Sequence, residues 1–292
     1  MTNMQRIITT TFLFALLPAI SVSSVAAELL KPGAEQLAAF RKIVCTVNNE
    51  EVSYYAWEGE VFSRVPGEKD RKLMGVIGMS VRQCGTVVNK EKGDGFRLVS
   101  REILLYTDPK SGEVLTTWNN PWTAETVDVV HVENDPVNQP PFFPISWGDR
   151  PFTLPFKGIG NNWWLTLTYP LFYENELGGE YQDYVGGKYH ASEMFNYLGD
   201  VDTLTDKDSN SAAVQIGWAR ISQWLPWMKM GDRTGMLYFH TAGAKLENYS
   251  EMPAQLQQQI QKNYPLYKTP PPIDDDRPNE TSWTWFRKIM EK

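Results

Sequence analysis

The sequence is short of the residues on which most metal and nucleophile chemistry rests. It has two cysteines, Cys45 and Cys84, and three histidines, His131, His190 and His240. No His-x-His, His-Glu-x-x-His or Cys-His pair occurs, and Gly-x-Ser-x-Gly, a P-loop and a dinucleotide fingerprint are missing too. Hydrolases built on a nucleophile elbow, NTPases and dehydrogenases are therefore disfavoured. Positive charge is in the minority, 28 Lys and Arg against 35 Asp and Glu, for a formal charge of −7. That balance argues against nucleic acid and anionic membrane surfaces as partners. Two cysteines do not make a disulfide-rich scaffold; they either form one Cys45–Cys84 disulfide or stay as two buried thiols.

A long apolar run occurs once, from Ile7 to Ile20, after Arg6 and ahead of Ser24-Val-Ala-Ala27. Its short core and small-residue end predict a secretory signal peptide over residues 1–27. The protein is then periplasmic or secreted, with no stable membrane span after signal removal. Residues 28–292 are read as a single β-barrel-like domain with a helical tail from about residue 250.

Aromatics, by contrast, are abundant: 11 Trp, 13 Tyr and 13 Phe. Rings bury large areas and favour strands, so the load fits a β core; it also fits a ring-lined cavity for an apolar or aromatic ligand. A helix is predicted over Pro32–Val44, with Leu37, Phe40, Ile43 and Val44 on one stripe. Strands follow at Val52–Val65 and Lys72–Cys84, then at Gly95–Tyr106. In the last, Phe96, Leu98, Ser100, Glu102, Leu104 and Tyr106 share one face, and Arg97, Val99, Arg101, Ile103 and Leu105 the other. Neither face is purely polar, so this strand is covered on both sides and its ionic groups need partners.

After a Pro-Gly turn at Thr107–Gly112, a further strand leads through a tryptophan turn to Val127–Val132, which carries His131. Pro136–Gly160 reads as an irregular covering loop. Strands return at Trp163–Phe172, His190–Leu198, Val214–Ser222 and Gly235–Ala244, and the glycine pairs 178–179 and 186–187 bracket Glu180–Val185. Helices at Pro253–Lys262 and Ser282–Met290 flank a stiff tether, Thr269–Pro278. About nine or ten strands at short spacing, without helices between them, predict a mainly β, single-domain antiparallel sheet that is closed or strongly curved.

The blocks Val65-Pro-Gly-Glu-Lys-Asp-Arg71, Arg97-Leu-Val-Ser-Arg-Glu-Ile103 and Asn120-Pro-Trp-Thr123 carry a resemblance. So do His131-Val-Glu-Asn-Asp-Pro-Val-Asn138, Tyr184-Val-Gly-Gly187, the stretch Arg220–Arg233 and Arg277-Pro-Asn-Glu-Thr-Ser-Trp283. In these the chain resembles the bacterial and fungal family known as domain of unknown function 1838. The resemblance implies a calycin-like barrel and brings with it no settled activity or cofactor.

The catalytic candidates are His131, Asp135 and Glu102: an imidazole aimed into a cavity for proton transfer, with Asp135 or Glu102 orienting its other nitrogen. Against this stands a satisfied core histidine beside an Asn134-Asp-Pro turn. The ligand-binding candidates are Arg101, Tyr106, Trp122, Asn134, Arg220 and Trp224. Arg101 or Arg220 would hold a ligand carboxylate, or else an internal ion pair drawn from Arg220, Asp232 and Arg233. Trp218, Arg220, Trp224 and Trp227 place a guanidinium among indoles, to close a barrel end or line a mouth. No cofactor is expected, although His131, His190 and His240 could supply a metal site with Asp135 or Glu193. Asp206–Asn210 lacks the glycine and closing glutamate of a calcium loop, and Asp274–Asp276 reads as surface charge. The expected reading is an exported barrel that binds a small apolar or aromatic molecule, the alternative a cofactor-free lyase or isomerase using His131.

Overall fold

The computed structural model describes residues 29–174 and 188–291, so the expected signal peptide and the glycine-bracketed segment lie outside the described residues. Helix α1 (Ala34–Val44) opens the fold. Three long strands follow, β1 (Val52–Arg64), β2 (Arg71–Val87) and β3 (Gly95–Thr107), each close to its expected bounds. They are joined in register as consecutive antiparallel partners. The stretch after β3 breaks into short pieces: β4 (Thr117–Asn119), β5 (Thr126–Asp128), β6 (Val132–Asn134) and β7 (Gln139–Phe142). The expected single strand Val127–Val132 is thus divided, and His131 lies in the gap between β5, which pairs with β4, and β6, which pairs with β3. The covering loop also holds more structure than its Pro content suggests, since β7 and β8 (Phe156–Ile159) both join the large sheet.

The second half continues the sheet with β9 (Asn162–Glu174), β10 (Lys188–Asp200), β11 (Gln215–Ser222) and β12 (Met236–Leu246), with the short helix α2 (Val201–Thr205) after β10. The ten strands are antiparallel in the order β6-β3-β2-β1-β12-β11-β10-β9-β8, with β7 also on β3. No ladder joins β8 to β6 or β7 among the described residues, so the sheet is curled and open rather than a closed barrel.

The curl is visible in what the two ends share. Glu102 on β3 and Glu193 on β10 are five strand steps apart, about 24 Å along a flat sheet. Yet the two carboxylates act on each other electrostatically across the concave side. One apolar cluster gathers Leu37, Phe40 and Ile43 of α1 with Phe96, Trp163, Leu165 and Ile216, so α1 plugs one end. A second gathers Leu104, Tyr106, Trp118, Trp224, Trp227 and Phe239 at the other end. The convex face of β1–β3 is covered as well: Ala56, Met79, Val81, Ile103 and Leu105 pack under Leu256 and Ile260 of α3 (Ala254–Lys262) and under Tyr267. Helix α4 (Ser282–Met290) begins with a Thr281–Thr284 capping box and sends Trp283 and Phe286 into the second cluster.

Cys45 and Cys84 form a disulfide that ties the end of α1 to β2. Lys245 on β12 completes that junction. Its ammonium donates to the Lys42 carbonyl at 2.7 Å, to Ser211 Oγ at 2.6 Å and to the Cys45 carbonyl, taking up carbonyls that the helix end leaves open. Replacing both cysteines with serine should therefore lower stability by roughly 2–4 kcal/mol. Denaturant unfolding of the double variant beside the oxidised parent measures the loss, and an unchanged midpoint would show that the bond constrains nothing.

Candidate functional site

Alternation and register place a polar layer across the middle of the concave face, between the two apolar clusters. Residues directly opposite in a ladder share a face. Ser80 pairs with Tyr55 on one side and Glu102 on the other, Arg82 with Ser53 and Ser100, and Glu102 with Asn134. Across the hollow, Glu193 pairs with Arg220 and with Tyr169, and Tyr197 with Ile216. Around this layer stand rings on the same face: Trp57, Phe195 and Trp218 are half-buried, and Tyr169 is exposed. Phe195 stacks on Tyr197 at 6.2 Å and meets Tyr169 edge-on at 5.8 Å. Trp57 can lie flat across β2 because residue 78 is glycine; a Cβ there would fall 2.5 Å from the indole nitrogen.

The charges in the layer are only partly matched. Arg220 Nη1 donates to Glu193 Oε1 at 2.7 Å. Arg82 donates through Nε to Ser80 Oγ at 2.6 Å, and its guanidinium sits 4.5 Å over the Tyr55 ring, beside the Tyr197 hydroxyl. Tyr55 in turn donates to the Ile43 carbonyl at 2.5 Å. Glu102 lies deep in the fold yet keeps accessible surface, which marks a side chain facing an internal hollow rather than bulk solvent. Burial raises its carboxyl above the ordinary glutamate range; Arg82 opposes the shift and Glu193 adds to it. Among the described residues its carboxylate takes no hydrogen bond, and Ser53 Oγ, Trp57 Nε1 and Asn134 Oδ1, on the same face, are buried without partners. Native folds leave few such groups, and a cluster of them on one surface asks for water or a ligand.

Of the sequence-derived candidates, Glu102, Asn134 and Arg220 meet in this layer. The others do not. His131 is held at the edge of β3: the Tyr106 N–H donates to its Nδ1 at 3.1 Å, and the Leu115 backbone also bonds to the ring. Burial pulls its pKa down to about 4, so the ring is neutral near pH 7. Its partners among the described residues are backbone groups, and neither Asp135 nor Glu102 bonds to it. Asp135 lies on the convex side, where Arg101 Nε donates to it at 2.7 Å and Arg277 Nη2 at 2.9 Å. Arg101 also donates to the Thr269 carbonyl at 2.6 Å. Its partner is thus Asp135, and not Arg220, Asp232 or Arg233. Asp275, expected as surface charge, is buried and bound by Arg277 at 2.8 Å. Tyr106 and Trp224 belong to the second apolar cluster; Trp122 packs on Trp224 at 5.0 Å with the Arg71 guanidinium 5.4 Å from its ring.

His240 is exposed, stacked beside Tyr238 on the convex face, and does not approach His131. Among the described residues no group of three or more His, Cys, Asp or Glu is arranged to hold a metal. Sequence reasoning missed Arg82 and Tyr197, and offered Glu193 only as a metal ligand. The signal for Arg82 was present, since a lone cation alternating with Ser80 and Cys84 in an apolar strand has to point somewhere special. Tyr197 and Glu193 carry no local mark; only the curl sets them opposite β2 and β3.

The fold and this layer define a mainly β protein whose curled antiparallel sheet encloses a half-matched ionic band between aromatic walls. The sequence model of the family described as "Protein of unknown function (DUF1838)" matches residues 50–290, and the chain belongs to that family. No curated protein matches it.

Two consequences can be measured. Asp135→Ala leaves the buried Arg101 charge without its carboxylate, and should cost about 3–5 kcal/mol in unfolding free energy; a loss under 1 kcal/mol would mean that solvent reaches Arg101 freely. His131 has a folded pKa below its unfolded value, so its contribution is full above the unfolded pKa of about 6.5 and is lost as pH falls toward 4. The denaturation midpoint should decline over that window, and His131→Asn should flatten the decline.

Proposed function

We propose that this chain is an exported protein that binds a small molecule with an aromatic or apolar body in the hollow of its curled sheet. The rings of Trp57, Phe195 and Trp218 flank the ligand, and its polar groups meet Glu102, Asn134 and Arg220. The observation that carries this reading is that the concave face bearing Glu102 also holds unpartnered buried polar atoms, Ser53 Oγ and Trp57 Nε1 on β1 and Asn134 Oδ1 opposite Glu102. Export is supported by the Cys45–Cys84 disulfide, since such bonds persist in oxidising compartments. Among the described residues no helix is long and apolar enough to cross a membrane.

Anilinonaphthalene sulfonate, a ring system bearing one anionic group, is a suitable probe. It should bind saturably with one molecule per chain and quench tryptophan emission. Arg220→Ala should weaken binding by at least tenfold, about 1.4 kcal/mol. Trp147→Ala, at an exposed turn, should leave it unchanged. Absence of saturable binding, or equal binding by the Arg220 variant, would remove the hollow as the ligand site.

A further inference from the structure

Binding alone does not use everything the layer contains. Among the described residues no hydrogen-bond donor is committed to the Glu102 carboxylate on β3; the wall across from it holds the Tyr197 phenol on β10, and Arg82, on the strand next to Glu102, reaches that hydroxyl. A carboxylate stripped of water is a strong base toward carbon acids, and a phenol backed by a cation stabilises charge that develops on oxygen. Glu102 on β3 and Tyr197 on β10 stand on opposite walls of the curled sheet, with Trp57, Phe195 and Trp218 on the same face. His131 is bonded to the backbone of Tyr106 and Leu115 and sits apart from this layer.

We propose that the hollow carries out cofactor-free proton transfer on aromatic substrates bearing an acidic C–H near an oxygen, with Glu102 as the base and Tyr197 with Arg82 receiving the charge on oxygen. This rests on the binding reading above. The step balances without a co-reactant. Glu102 takes the proton from carbon, the C–H electron pair moves into the substrate, and the negative charge arrives on the oxygen beside Tyr197. In an elimination the C–H pair forms a π bond while the bond to that oxygen breaks; the oxygen leaves as the anion and Glu102 later gives its proton to solvent. In an isomerisation the oxygen is a carbonyl that becomes an enolate, and the proton returns from Glu102 to another carbon. Burial, Arg82 on β2 and Glu193 on β10 set the charge of Glu102; Asn134 on β6 lies opposite it in the ladder, Tyr197 on β10 faces it, and Arg220 on β11 pairs with Glu193.

Nitrobenzisoxazole tests both halves of the claim. Loss of its ring C–H proton breaks the N–O bond and yields a coloured cyanophenolate, so base and oxygen acceptor are read in one absorbance trace. The full-length protein should accelerate this elimination. Glu102→Gln should reduce the rate by about a hundredfold or more, and Tyr197→Phe should reduce kcat while changing KM little. The pH profile should rise through an apparent pKa above that of an ordinary glutamate, and Glu102→Asp should restore part of the rate. Nitrobenzotriazole, which cannot react, reports binding separately by tryptophan quenching. Binding without elimination, or full rate in Glu102→Gln, would overturn the proposal and leave the binding reading standing; failure of nitrobenzotriazole to bind would overturn both. A rate lost in His131→Asn and kept in Glu102→Gln would also overturn it, by moving the base to the imidazole.

Discussion

Two neighbours in sequence, Arg101 and Glu102, sit on a strand that is covered on both faces, and the rest of the structure answers to that constraint. Period-two alternation sends them in opposite directions. The arginine goes under the C-terminal tether and the glutamate into the hollow. On the convex side the charge is matched at once by Asp135, which Arg277 also holds. On the concave side it is not matched by any hydrogen bond, and Arg82 and Glu193 pull its ionisation in opposite directions. The fold thus satisfies one buried charge fully, in holding the sheet's cover, and leaves its neighbour without a committed donor among the described residues.

The curl sets the surroundings of that second charge. Flat, the sheet would keep Arg82 and Glu102 far from Glu193, Tyr197 and Arg220. Rolled about α1, it sets them in one layer, with apolar clusters above and below that exclude water and raise the worth of every remaining charge. The glycine at 78, over which Trp57 lies, belongs to the same design, because it lets a ring line the wall without pushing the strands apart. Closure between the end strands is not needed for this. Among the described residues no ladder joins β8 to the β6–β7 edge, and the proposed ligand would enter along that side.

Much of the fold could be read from the chain. The long strands, the helix with its stripe of Leu37, Phe40 and Ile43, and the double coverage of Gly95–Tyr106 follow from periodicity, a local property. What could not be read depends on distance along the chain. Val127–Val132 has the alternation of one strand, yet its two ends pair with different partners, and His131 falls in the break. Asp135 looked like turn chemistry beside a proline, but its arginines stand at 101 and 277. Tyr197 and Glu193 are ordinary residues of an ordinary strand until β2 and β3 are brought round to face them.

The double grip on Asp135 carries an implication for timing. Chains are made from the N-terminus onward, so Arg101 exists long before Arg277. In the interval, the short β6, which pairs with β3 through only Val132, Glu133 and Asn134, lacks the anchor that the tail supplies just beyond it. Asn134, opposite Glu102 on that edge, is therefore steadied late, by the C-terminal segment. The tail works as a finishing clasp: the pocket takes its final shape only once nearly the whole polypeptide is present.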